Sequence, residues 1–140
     1  MCDCCEKKVI KSEKVPQPMA PYSIAVKACQ LIFVSGQLGL DPLSGNLVAG
    51  GVKEQTRQAL NNVKNILESA QSSLKDVVKT TVFLKEIKDF ASLNDVYADF
   101  FNQDPPARSA FQVAGLPKDG LVEIEAIALV NDKCSCDDKV

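Results

Sequence analysis

The segment PPARSAFQVAGLPKDGLVEIEAIALV, residues 105–130, places one arginine and two glutamates in two stretches of strand-like alternation. Successive side chains of a strand point to opposite faces, so Arg108 shares its face with Ala110 and Gln112 while Ala107, Ser109, Phe111 and Val113 take the other. After the turn LPKDG, Val122, Ile124, Ala126 and Ala128 alternate with Glu123, Glu125, Ile127 and Leu129. The two stretches are predicted to form an antiparallel hairpin with Arg108 opposite a carboxylate. A planar guanidinium takes a small carboxylate through two parallel hydrogen bonds, and a neighbouring glutamate can orient a water. The same residues also make an ordinary solvated cross-strand pair of little energetic value. The pattern alone leaves both readings open.

Composition narrows the chemistry further. The chain contains no histidine, which removes Ser-His-Asp and Cys-His nucleophile systems, His-ligated zinc and a histidine base. No GxxxxGK[ST] loop or GxGxxG fingerprint is present. Acid–base work falls to carboxylates, Tyr, Lys, Cys, backbone or water. A formal net charge of −2, with no basic stripe, speaks against a dedicated nucleic-acid binder. The apolar runs LIFV and AIALV are too short to span a bilayer, and MCDCCEKK lacks the apolar core of a signal peptide, so a cytoplasmic location is expected.

The elements that must position these residues follow from periodicity. A chain of 140 residues, 46% hydrophobic and 24% charged, suits a single domain. Residues 1–14 form a Cys-containing tail with a candidate edge strand, KVIKSE; residues 15–130 form the domain; residues 131–140 form a second Cys-containing tail. Cys2, Cys4 and Cys5 at one end and Cys134 and Cys136 at the other are expected to be reduced in flexible tails rather than to bind metal or form disulfides. The stretch from Ser23 to Ser35 reads as two strands around a turn near Ala28–Gln30, with LIFV predicted to be buried on both sheet faces. LDPLSGNLVAGG is a loop leading into a helix. From Val52 to about Ala70, apolar residues recur at helical spacing, with Lys53, Glu54, Arg57, Asn61 and Lys64 on the solvated side. DVVKTTVFLK reads as a strand, and Asp89 as the N-cap of a helix whose Phe90, Leu93, Val96, Tyr97, Phe100 and Phe101 face the core. The predicted fold class is α+β, a mixed sheet with two helices packed on one face. The open face is expected to carry Arg108 and the glutamates with Ile127 and Leu129, a mixture that suggests contact with another subunit.

PPARSAF followed by VEIEAIA resembles the signature of the RidA (YjgF-like) family of enamine/imine deaminases, and the likeness extends over roughly residues 15–130. The resemblance implies a chorismate-mutase-like fold and a homotrimer with sites between subunits. It also implies a role for residues at matching positions. Tyr22, in Ala20-Pro21-Tyr22 where the family usually has Gly-Pro-Tyr, would close the pocket. Ser35, in SGQ, would line its wall. Asn94, in FASLNDVYADFF, would lie beside the site, and Ala110 stands where many members have Cys, which rules out thiol chemistry there. Arg108 would bind the substrate carboxylate, and Glu123 would position a water with help from a backbone carbonyl near Ala110.

The implied substrates are 2-aminoacrylate and 2-aminocrotonate or their imine tautomers, released by pyridoxal-phosphate dehydratases; the products are 2-keto acids and ammonia. No metal or organic cofactor is required, because the imine is already electrophilic. The family also includes proteins described as ribonucleases or translation inhibitors and as chaperone-like binders, and a fold alone does not choose among such functions.

Overall fold

The structure, a computed structural model, describes residues 5–131. Six strands and two long helices follow in the order β1 (Lys8–Ile10), β2 (Ala25–Ala28), β3 (Leu31–Leu38), α1 (Val52–Ser69), β4 (Val77–Leu84), α2 (Phe90–Phe100), β5 (Ala107–Gln112) and β6 (Val122–Leu129). They make one sheet ordered β1-β2-β3-β6-β4-β5. Every pairing is antiparallel except β4 with β5, which is parallel.

Alternation along the strands puts Ile32, Val34, Val82, Leu84, Ile124, Ala126 and Ala128 on one face. There they form a single core with Ala59, Leu60, Val63, Ile66 and Leu67 of α1 and Leu93 and Tyr97 of α2. Fully burying a Leu or Ile contributes about 2 kcal/mol. The ion pairs that link the helices, Lys53 with Asp95 and Arg57 with Asp99, are more than half exposed and belong to a class worth at most about 1 kcal/mol. Apolar burial therefore sets the helix positions, and the polar face of α1 gains only these weak links to α2.

Several expectations change on contact with the structure. The hairpin between the Arg108 strand and the Glu123 strand does not form. β6 lies between β3 and β4, and β5 is an edge strand that returns parallel to β4 after α2. Neither does Arg108 share the open face with the glutamates. It pairs with Thr80, whose side chain is buried on the helix side, whereas Glu123 pairs with Phe83 and Leu38 on the other face. LIFV is covered on one side only, because Phe33 faces outward and is 43% exposed in the single chain. Asp89 stands at the N-cap of α2 but its side chain makes no capping hydrogen bond. Phe90 is not core; it is partly exposed at the start of α2.

The tail cysteines are also partly reassigned. Cys5 is joined to Cys29 in a disulfide, not left reduced in a flexible tail. The antiparallel pairing of β1 with β2, Lys8 opposite Lys27, carries Cys5 back beside the β2–β3 turn where Cys29 sits. Cys2, Cys4, Cys134 and Cys136 lie outside the described residues. Among the described residues no three His, Cys, Asp or Glu side chains are grouped to hold a metal ion, and no helix is long and apolar enough to cross a membrane.

Candidate functional site

The first group of site residues gathers around the end of β3. A bulge between Val34 and Gln37 shifts the register against β6, and such an extra residue re-aims the chain locally. Here it sets Gly36 beside Glu123. A side chain at Gly36 would overlap Glu123 Oε1, so the glycine gives the carboxylate its room. Glu123 and Gly36 line a cleft of about 430 Å³ together with Tyr22, Leu38, Leu40 and Lys118. Burial pushes the Glu123 carboxyl above the usual glutamate range, and the like charge of Glu125 pushes it the same way.

The cleft walls are fixed by bonds that periodicity does not reveal. Ser35 Oγ donates to the Ser23 carbonyl at 2.6 Å, which ties the segment after Tyr22 to β3. Its hydroxyl thus holds the wall in place. Tyr22 itself is 54% exposed, and its backbone N–H donates to the Ala20 carbonyl in a tight turn. Asn62, fully buried in α1, donates to the carbonyls of Leu38 and Leu40. Gln55 Oε1 accepts from the Leu121 N–H at 2.9 Å. Lys118 donates from Nζ to the Gly45 carbonyl and so joins the β5–β6 turn to the loop after β3. Two amides, Gln55 and Asn62, on the buried side of α1 among Thr56 and a run of Val, Ala, Leu and Ile, were the available signal for this scaffolding, since most buried polar groups find partners.

The second group sits on edge strand β5 and helix α2. Phe90, Asn94 and Tyr97 are spaced by four and then three residues, which lines them along one stripe of α2. Arg108 lies over that stripe. Its Cζ is 4.7 Å from the Tyr97 ring centroid and 5.3 Å from that of Phe90, and Nη1 donates to Asn94 Oδ1 at 2.8 Å. Thr80 Oγ1 and the Tyr97 hydroxyl share a buried hydrogen bond of 2.7 Å beneath it. Ala110, two residues along the strand, is half-buried on the same side. Among the described residues Arg108 has no carboxylate partner, so most of its five N–H donors remain for a ligand.

The structure therefore brings together Tyr22, Ser35 and Glu123 as one set and Asn94, Arg108 and Ala110 as another. Within one chain the two sets do not meet. β4 separates their strands, and Arg108 and Glu123 point to opposite faces.

This arrangement and the sequence that produces it have close counterparts. Residues 12–130 match the family model described as "Endoribonuclease L-PSP". This chain belongs to that family, the RidA family. It is 52% identical over 123 residues to the bovine (Bos taurus) protein named 2-iminobutanoate/2-iminopropanoate deaminase, covering 88% of this chain and 90% of the other. The RidA crystal structure from an Antarctic Psychrobacter superposes with a TM-score of 0.85 at 45% identity, covering 88% of this chain and 99% of that one. Escherichia coli TdcF, solved with bound serine, gives a TM-score of 0.84 at 41% identity over 87% and 98% of the two chains. The mixed six-stranded sheet with two helices is thus the RidA fold.

Proposed function

We propose that this RidA-family protein hydrolyses 2-iminopropanoate and 2-iminobutanoate, formed from the enamines 2-aminoacrylate and 2-aminocrotonate, to 2-keto acids and ammonia. The observation that carries the reading is the guanidinium of Arg108, held over the Phe90 and Tyr97 rings of α2 without a carboxylate partner among the described residues, in a chain half identical to a protein of that named activity. Serine, the ligand bound to TdcF, has the carboxylate and α-nitrogen that such a substrate carries. Arg108 binds the carboxylate through two N–H···O bonds. Glu123 orients a water and accepts its proton as the oxygen adds to the imine carbon. Glu123 returns that proton to the nitrogen, giving the carbinolamine. The carbinolamine hydroxyl then gives up the water's second proton, through Glu123, to the same nitrogen as the C–N bond breaks, and the ketone forms as ammonia leaves. A carboxyl group raised above its ordinary range is suited to both halves of this transfer. Tyr22 covers the pocket. The electrophilic imine needs neither a metal nor an organic cofactor, and pyridoxal-phosphate dehydratases catalyse the reactions that supply it in the cytoplasm.

Since one chain separates Arg108 from Glu123, the complete site is formed by Arg108, Asn94 and Ala110 of one subunit and Tyr22, Ser35 and Glu123 of a neighbour. The uncovered sheet face supports this reading: Phe33, Phe111 and Leu129 are each more than 40% exposed there, the kind of surface that a subunit contact covers. A homotrimer closes such a contact. Light scattering is expected to give three times 15.1 kDa. Coexpressed Arg108→Ala and Glu123→Gln subunits are expected to regain part of the activity each lacks alone, because some mixed clefts receive both intact side chains. Mixed oligomers that stay inactive would place the whole site in one subunit.

The central test couples a threonine or serine dehydratase to this protein and follows loss of the imine. Faster keto-acid release than in buffer supports the deaminase reading, and no acceleration on either imine overturns it. In the same assay Gly36→Ala is expected to lose about 100-fold in kcat/KM, as displacing a reacting group by about 1 Å can, with the fold retained. The ribonuclease reading gains nothing from the site, which offers no histidine and no basic stripe.

A further inference from the structure

We infer that Tyr97, locked by Thr80, is a positioning residue that sets the plane of the Arg108 guanidinium for the substrate carboxylate. The inference rests on the carboxylate-anchor role proposed above for Arg108. Bidentate binding requires the guanidinium and carboxylate to lie nearly in one plane, so an arginine free to rotate binds less well than one held. Three contacts hold this one. Tyr97 and Phe90 present ring faces at 4.7 and 5.3 Å from Cζ, and Asn94 Oδ1 accepts a hydrogen bond from Nη1. Asn94 and Phe90 sit on the accessible side of the stripe, whereas Tyr97 is 7% exposed and is the member rooted in the core.

Rooting comes from both sides of the ring. Its hydroxyl bonds to Thr80, itself 1% exposed, and its ring packs against Phe101 at a centroid distance of 4.7 Å. Thr80 is also the residue directly opposite Arg108 in the β4–β5 pairing. The arginine backbone and the ring under its guanidinium are thereby referred to the same residue. Any buried Tyr needs a partner for its hydroxyl; a cation over its face is what core filling alone does not require. Burial raises the phenol above its usual range, so the hydroxyl stays protonated across ordinary working pH and the lock does not titrate.

The test compares Tyr97→Leu, Tyr97→Phe and Thr80→Val with the wild type, using imine turnover and, independently, titration with 2-oxobutanoate followed by NMR, with Arg108→Ala as the blank. Tyr97→Leu removes the ring face and is expected to raise KM and the 2-oxobutanoate Kd about 10-fold, the scale of a partly desolvated cation–π contact, with kcat within about 3-fold. Tyr97→Phe keeps the face and should restore most of the affinity, within about 3-fold of wild type. Thr80→Val breaks the same hydrogen bond as Tyr97→Phe and also leaves the ring in place, so it should match that variant, with a Kd about 3-fold above wild type. The inference is overturned if Tyr97→Phe is as damaging as Tyr97→Leu, or if kcat falls while KM and Kd hold. Should Tyr97→Leu fail to fold, Tyr97→Phe and Thr80→Val still decide it: unchanged Kd in Thr80→Val removes the lock. A wild type that binds 2-oxobutanoate through Arg108 yet accelerates no imine hydrolysis sinks the deaminase reading and leaves this inference standing; a wild type that does neither sinks both.

Discussion

Replacing Arg108 by alanine is expected to lower kcat/KM on 2-iminobutanoate by about 1000-fold while the protein stays folded and assembled. Two charge-assisted hydrogen bonds at roughly 1.5–3 kcal/mol each set that scale, and every 1.36 kcal/mol is a factor of ten in rate. The fold should tolerate the change, because Arg108 lies on edge strand β5 and contributes no ion pair among the described residues. The stacked contacts with Phe90 and Tyr97 are worth about 1–2 kcal/mol at most, well short of a typical domain stability of roughly 5–15 kcal/mol. Arg108→Lys separates charge from geometry. An ammonium is a point charge without the planar fork, so lysine should recover less than a tenth of the lost activity. An alanine variant within threefold of wild type would remove Arg108 from substrate binding.

The second large effect concerns Glu123. Glu123→Gln keeps shape and size but cannot take a proton from water, and loss of one general acid–base group costs about 100- to 10,000-fold. The loss should appear in kcat rather than KM, since the carboxylate anchor is untouched. Wild-type activity should fall as pH drops through the raised Glu123 value, because the protonated form can no longer accept the water's proton. Removing the like charge with Glu125→Gln makes ionisation easier, so this acid limb should move to lower pH.

Stability should respond in the opposite sense. Burial and Glu125 hold the folded Glu123 carboxyl above its unfolded value, so the folded state binds more protons and stability falls as pH rises through the interval between the two. Above that interval Glu123→Gln is expected to melt at a higher temperature than wild type while remaining nearly inactive. Glycine at 36 fits the same trade, since it leaves room for a carboxylate that the fold does not need for its own stability.

The α+β class, the two helices and the residues that share each strand face were legible without coordinates, because they follow from local periods of 3.6 and 2. In α1 the residues Ala59, Leu60, Val63, Ile66 and Leu67 announce the buried side by spacing, and the structure buries each of them. The motif residues around Arg108 and Glu123 were legible too, as a likeness to RidA proteins. Pairing was not. Alternation in VEIEAIAL states which side chains face together but is the same whether the partner strand is β5 or, as the structure has it, β3 and β4. That choice depends on how α1, α2 and four other strands pack at once, and it sends Arg108 and Glu123 to opposite faces. Periodicity put Phe90 and Tyr97 on the core side of α2, and only the likeness to RidA proteins put Asn94 beside the site; the return of β5 beside β4 is what places one guanidinium against all three. Likewise Gly36 became a condition for Glu123 only through the bulge in β3, and Cys5 met Cys29 only through the β1–β2 register. Local sequence determines the faces; long-range packing, which no short window contains, decides what those faces meet.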